Sequence, residues 1–490
     1  MNTFKHKSLY AALAGLGALG ATGVAQAVSV NPDGLGQVLI YPYYTVRTVP
    51  TGLVGSDAAY NSLLSVVNST GSAKAVKVRF LEGKNSREVL DFNLYLSKYD
   101  VWTTAIIPTE EGAGIFTADK SCTVPAISTD SAHPTGFLNY GYVDDTGGDS
   151  LDRTREGYVE IIEMGDVVGS TAVAATHKNG VPPCTPGDLV EPTAPANTVP
   201  GSGGLFGSMT LINVLKGEDF GYDPTALDGF SAISLWTNAG SIKPSLADVN
   251  PKTSVVVSGP SVYITAGWNS NPATGGNPVD PVSAVLMHNN VYNEFVLDRE
   301  TKSATDWVVT FPTKREYVAV GEGAAQKLFQ RNFWNGRSCD DLTLTLYDRE
   351  ERTKQATQDF SPPPPVKSTN ICWEANVISY LYGGGALPAE STVFGSTNFV
   401  PISSDFVNGW VAMSFAPIGG RHQLVGPGST VFNTRTGQTI GTVSTTFNGL
   451  PAIGFAAVVY ENGTLTSGGT AIQSNYGGNF NHKLTRSITP

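Results

Sequence analysis

The sequence predicts an all-β protein, built as tandem immunoglobulin-like β-sandwich domains with long loops, and three observations support this class. Apolar and polar residues alternate with period two in several runs, the pattern of strands with one face buried. Gly (54 residues) and Pro (30) are abundant while only 15% of the chain is charged, which suits strands joined by many tight turns. Helical periods are scarce: 281–290 and 323–331 are the best candidates, and both are short.

The elements follow in chain order. Asn31-Pro32-Asp33-Gly34 is a turn, because Pro fixes φ and Gly accepts a positive one; the β-rich run to Arg47 follows it. In 75–81 (AVKVRFL), Val76, Val78 and Phe80 share one face, and Lys77 and Arg79 the other. In 89–96 (VLDFNLYL), Leu90, Phe92, Leu94 and Leu96 alternate with Asp91, Asn93 and Tyr95. Residues 82–86 between them read as a hairpin connection, so two half-buried antiparallel strands are expected. Further strands are expected at 158–164, 254–258, 307–311, 342–347, 410–415 and 453–460, all rich in β-branched, leucine and aromatic residues.

The domain plan is a signal peptide at 1–27, a β-sandwich domain at 28–178, a Pro/Gly-rich linker or loop at 179–204, a β-rich middle region at 205–335, and a C-terminal β-sandwich domain at 336–490. Residues 361–365 (SPPPP) read as a stiff polyproline segment. An outer-membrane barrel fits less well, since the strands vary in length and several runs are apolar on both faces.

Lys5 and Lys7, the apolar run Leu9 to Val24 and the small-x-small Ala25-Gln26-Ala27 have the order of a secretory signal peptide. The expected location is therefore outside the cytoplasm, at the cell surface or alternatively in the periplasm, with no transmembrane span in the mature chain. In an oxidising compartment the four cysteines favour disulfides, and three connectivities are open. Cys122–Cys184 and Cys339–Cys372 are expected, because each pair is local and brackets an irregular segment. A net charge of −11 gives no electrostatic footprint for nucleic acid.

Catalytic motifs are absent: there is no G-x-S-x-G elbow and no HExxH. His133, His177, His288, His422 and His482 all lie in loop-like contexts and are expected on the surface. Glu156, Glu160 and Glu163 could furnish a glycosidase acid or base, but strand parity puts Glu160 and Glu163 on opposite faces. Balancing of these charges by Arg153 and Arg155 is the plainer expectation. Asp144, Asp145, Asp149 and Asp152 on a Gly-rich turn are the best candidate calcium ligands, since calcium takes six to eight oxygens, although the spacing is not that of an EF-hand. No other cofactor is indicated. Tyr41, Tyr43 and Tyr44, then Tyr95, Tyr99 and Trp102, then Phe333 and Trp334 could stack on sugars; sheet-face packing is the simpler account.

Four segments, VNPDGLGQVLIYPYYTVR (30–47), NSREVLDFNLYLSKYDVWT (85–103), TDWVVTFPTKR (305–315) and ICWEANVISY (371–380), resemble uncharacterised secreted or cell-surface proteins of proteobacteria. The resemblance implies an envelope location and carries no activity or catalytic residues. The functional expectation is an exported, non-catalytic envelope protein, structural or adhesive, whose partners are further copies of itself, envelope components or glycans. The alternative is a secreted protein that binds or degrades carbohydrate.

Overall fold

A computed structural model of the chain describes residues 26–50, 57–355, 370–382, 387–402, 406–467 and 470–489. The first 25 residues of the expected signal peptide and the SPPPP run lie outside them. Strand makes up about 49% of the structure and helix about 9%, so the chain is all-β.

Two antiparallel sheets form a sandwich from the N-terminal half. The first runs in the order Ser29–Val30, Thr225–Asp228, Val38–Thr45, Glu156–Val167, Ala73–Glu82, Glu88–Leu96, Cys122–Val124, with Thr198–Val199 added beside Glu156–Val167. The second runs Thr135–Gly136, Ala113–Phe116, Val101–Pro108, Asn61–Asn68, Leu205–Asn213, Glu218–Tyr222. Phe92 packs on Trp102 between the layers with ring centres 5.6 Å apart. Together the sheets exceed the roughly seven to nine strands of an immunoglobulin domain.

Leu205–Asn213 pairs with Asn61–Asn68 along its length, and Thr225–Asp228 pairs with Val38–Ile40. The sandwich therefore continues past residue 205, and the Pro/Gly-rich segment 179–204 is a loop within it rather than a linker. Cys122–Cys184 pins that loop to the edge strand Cys122–Val124. The second bridge is Cys339–Cys372, as the local pairing suggests.

Three five-stranded sheets make up the C-terminal half. One holds Thr253–Ser258, Val262–Gly267, Gln423–Asn433, Gln438–Asn448 and Ser487–Thr489. Another runs Thr353–Gln355, Thr343–Asp348, Asn408–Ser414, Asn290–Val296, Lys483–Thr485. The last runs Phe399–Ile402, Ala375–Tyr382, Ala304–Thr310, Ile453–Ser467, Thr470–Asn481, with its first two strands parallel. Of the two helix candidates, Asp280–Leu286 is helical, while 323–331 is a turn-rich segment closed by an Ala324–Arg331 bridge.

One hydrophobic core runs through both halves, from Val28 to Val459. Tyr222 stacks on Phe455 at 4.8 Å, Tyr43 meets Phe394 at 5.5 Å, and the Thr310 hydroxyl donates to the Pro42 carbonyl at 2.6 Å. The apolar partition between halves is thus that of a single interior.

The expected half-burial of the hairpin needs correction. All ten residues of Ala73–Glu82 are buried, including Lys74, Lys77 and Arg79. It is an inner strand, and the loop carrying Asn238 and Gly240 covers its polar face. Three histidines expected at the surface are also buried. His422 lies against Asp340 at 3.3 Å, His482 packs on Trp307, and His288 sits in the core, where burial and Arg486 push its pKa down to about 3.

Candidate functional site

Antiparallel pairing of Glu156–Val167 with Ala73–Glu82 sets Glu160 opposite Arg79 and Asp166 opposite Lys74. A bulge between Glu163 and Gly165 brings Glu163 to the same lysine. Two charge clusters result, on opposite faces of the sheet as strand parity requires. On one, the Lys74 ammonium donates to Glu163 at 2.5 Å, Asp166 at 2.7 Å and Ser202 at 2.8 Å. On the other, Arg79 donates to Glu160 and Glu88, each at 2.7 Å.

The second face opens into a cleft of about 920 Å³ between the two halves of the chain. Its floor includes Arg79, Glu88, Tyr158 and Glu160; Pro312, Arg315 and Glu316 of the C-terminal half form a wall, and Tyr140 and Ile242 stand exposed at the rim. Burial pushes the Glu160 carboxyl up to about 7 against the pull of Arg79. Glu316 lines the cleft with part of its surface exposed, and partial desolvation raises its carboxyl against the pull of Arg315 and Arg79. Behind the floor, Ser86 donates to Glu374 at 2.6 Å, while the Tyr158 hydroxyl lies 2.7 Å from Ser86 Oγ. Arg315 donates to the Ser86 carbonyl at 2.6 Å. Burial pushes Glu374 up to about 7. The Ser86–Glu374 and Arg315–Ser86 bonds cross between the halves, and Tyr158 and Glu374 hold the Ser86 hydroxyl between them.

In the acidic turn considered for calcium, two of the four aspartates, Asp145 and Asp152, meet arginines of the chain. Asp145 accepts from Arg153, Arg87 and Asn85; desolvation raises its carboxyl, but the bonds from Arg153, Asn85 and the Gly147 backbone hold it below the usual range. Asp152 faces Arg47 and Arg155, whereas Asp144 and Asp149 are exposed. Among the described residues no three His, Cys, Asp or Glu side chains gather as metal ligands.

The charge partners expected within 153–163 also change. Arg153 reaches Glu82 at 2.9 Å and Asp145 at 3.1 Å, while Glu156 is met by Arg47 at 2.9 Å. Long-range strand pairing, not proximity in sequence, chooses these partners. Of the aromatics considered for sugar stacking, Tyr41, Tyr43, Tyr44, Tyr95, Trp102 and Phe333 are buried in the core. Tyr99 and Trp334 are exposed, but in separate parts of the fold. Exposed Trp410, in the strand expected at 410–415, lies across from Tyr347 and Glu294, which come from distant segments.

No helix among the described residues is long and apolar enough to cross a membrane. No known family model matches the sequence, no curated protein matches it, and no solved structure matches its fold.

Proposed function

We propose that this chain is an exported, non-catalytic protein of the cell envelope, displayed at the surface in a structural or adhesive role. The observation that carries the reading is the pairing of ionisable groups around the interhalf cleft. Glu160, Glu88, Glu374 and Asp145 each meet a cation or a hydroxyl donor of the chain itself, so they brace the fold rather than await a substrate. Two disulfides suit an oxidising compartment, and the signal-like leader and the resemblance to secreted proteins point the same way.

Protease shaving of intact cells, with mass spectrometry of the released peptides beside an osmotic-shock fraction, tests the display. Peptides released from intact cells are expected; recovery only in the shock fraction would move the protein to the periplasm. Unpaired sheet edges offer a route to assembly between copies. A strictly monomeric protein at high concentration, with and without calcium, would remove the assembly version and leave adhesion.

A second reading is carbohydrate degradation in the same cleft. It is favoured by Glu316, which supplies from another segment the second carboxylate that Glu160 lacks on its own strand. Polysaccharide hydrolysis by the parent, lost in both Glu160→Gln and Glu316→Gln, is the result this reading requires.

A further inference from the structure

Trp410 occupies the middle of the central strand Asn408–Ser414 and is 39% exposed. Its cross-strand neighbours are Tyr347 on one side and Glu294 on the other. The Tyr347 and Trp410 rings stack with centres 4.0 Å apart and planes only 6° from parallel. Trp410 also lines a cleft of about 560 Å³, together with Glu294, Asp298, Arg349, Asn408 and Tyr460.

This combination differs from an ordinary exposed tryptophan in three ways. The parallel Tyr347 ring restrains the indole, so little side-chain freedom is lost when a ligand settles against it. Glu294 and Arg349 are exposed and form no ion pair among the described residues, leaving both free to hydrogen-bond a ligand. Two cleft residues, Asn408 and Thr301, carry a buried side-chain oxygen without a hydrogen-bond partner.

We propose that this cleft binds a neutral hexopyranose unit of a glycan. A pyranose ring has one face of C–H bonds, which carry slight positive charge and suit the electron-rich face of an indole. Its edge is a rim of hydroxyls, which donate to carboxylates and accept from guanidinium groups in charge-assisted bonds. Cleft polarity selects against acidic sugars. Arg352 neutralises Asp348 at 2.6 Å, which leaves Glu294 and Asp298 against the single Arg349. The inference rests on the adhesive reading and gives it a ligand class.

The full chain, processed and oxidised, is applied to a printed panel of neutral, amino and acidic oligosaccharides, and hits are titrated with the free sugar. Retention on neutral glycans is expected. Trp410→Ala should weaken binding at least tenfold, Trp410→Phe and Glu294→Gln several-fold, and Tyr476→Ala, an exposed aromatic elsewhere, not at all. Circular dichroism checks that each variant is folded, and Glu294→Gln keeps the test open if Trp410→Ala is not. Absence of any neutral-glycan binding, a preference for acidic sugars, or parent-like binding by folded Trp410→Ala and Glu294→Gln overturns the proposal. Shaving separates the two readings: a displayed protein that binds no glycan loses the cleft assignment only, whereas a glycan-binding protein confined to the shock fraction loses the surface role only.

Discussion

The interhalf cleft and the Trp410 cleft differ in what their polar groups already do. The first is larger and carries more charge, yet Arg79, Glu160 and Glu88 are satisfied by each other beneath it. The second holds fewer ionisable groups, but Glu294 and Arg349 face solvent beside a braced indole. Unmet bonding capacity, rather than density of charge, is what marks a surface for a ligand. Removal of a residue should therefore cost stability in the first region and binding in the second.

The largest effect is expected at the buried cations. Arg79→Met leaves Glu160 and Glu88 without their guanidinium, and Arg153→Met leaves Glu82 without its guanidinium and Asp145 with Arg87 alone; each should cost about 3–5 kcal/mol. Denaturant midpoints measure this. A near-neutral Arg79→Met would break the comparison, because it would mean that the cleft carboxylates do not depend on their partner.

Next comes the bridge that fastens the 179–204 loop. Replacing both Cys122 and Cys184 by Ser should cost about 2–4 kcal/mol under the chain-entropy account. Parent and variant should converge in reducing agent, provided Cys339–Cys372 is removed from both.

Titration sharpens the contrast further. Burial holds Glu160, Glu163 and Glu374 at about 7, above their ordinary 4.5, so the folded chain binds protons more tightly than the unfolded one. Their contribution to stability is complete below pH 4.5 and is lost as pH rises through about 7. Asp145 and Asp340 are held below their ordinary value, and their contribution disappears only at more acid pH. Between these limits, stability should fall as pH rises. Glu160→Gln should flatten that slope by up to about 1.4 kcal/mol per pH unit. Unfolding free energies measured across the window check both statements, and a slope unchanged by Glu160→Gln would remove this residue from the account.

The smallest stability change is expected at the site proposed to bind. Tyr347→Ala removes one stacked pair and should cost about 1 kcal/mol, with a larger relative loss in glycan retention because Trp410 loses its brace. Equal losses in stability and retention would make the pair an ordinary packing contact.

Class and local pairing were legible in the sequence because both depend on short-range patterns. Alternation in 75–81 and 89–96 marks strands, and cysteines bracketing irregular segments become bridges. Burial of the second face was not legible: whether Lys77 meets water depends on a loop some 160 residues later, which supplies the Asn238 carbonyl. The tyrosines of YPYY resemble a sugar platform until Val38–Thr45 proves to be an inner strand, buried at every position. Trp410, Glu294 and Tyr347 come from separate strands, so no local window could bring them together.

The shared core also governs the order in which the molecule can be completed. Val38–Thr45 receives Thr225–Asp228 on one side, and its Tyr43 closes on Phe394. An early-emerging strand must therefore wait for segments that follow it by hundreds of residues. Such non-local pairing makes folding slow, and apolar surface stays uncovered until late in synthesis. Completion of Val38–Thr45 therefore comes only once both of these late segments are present.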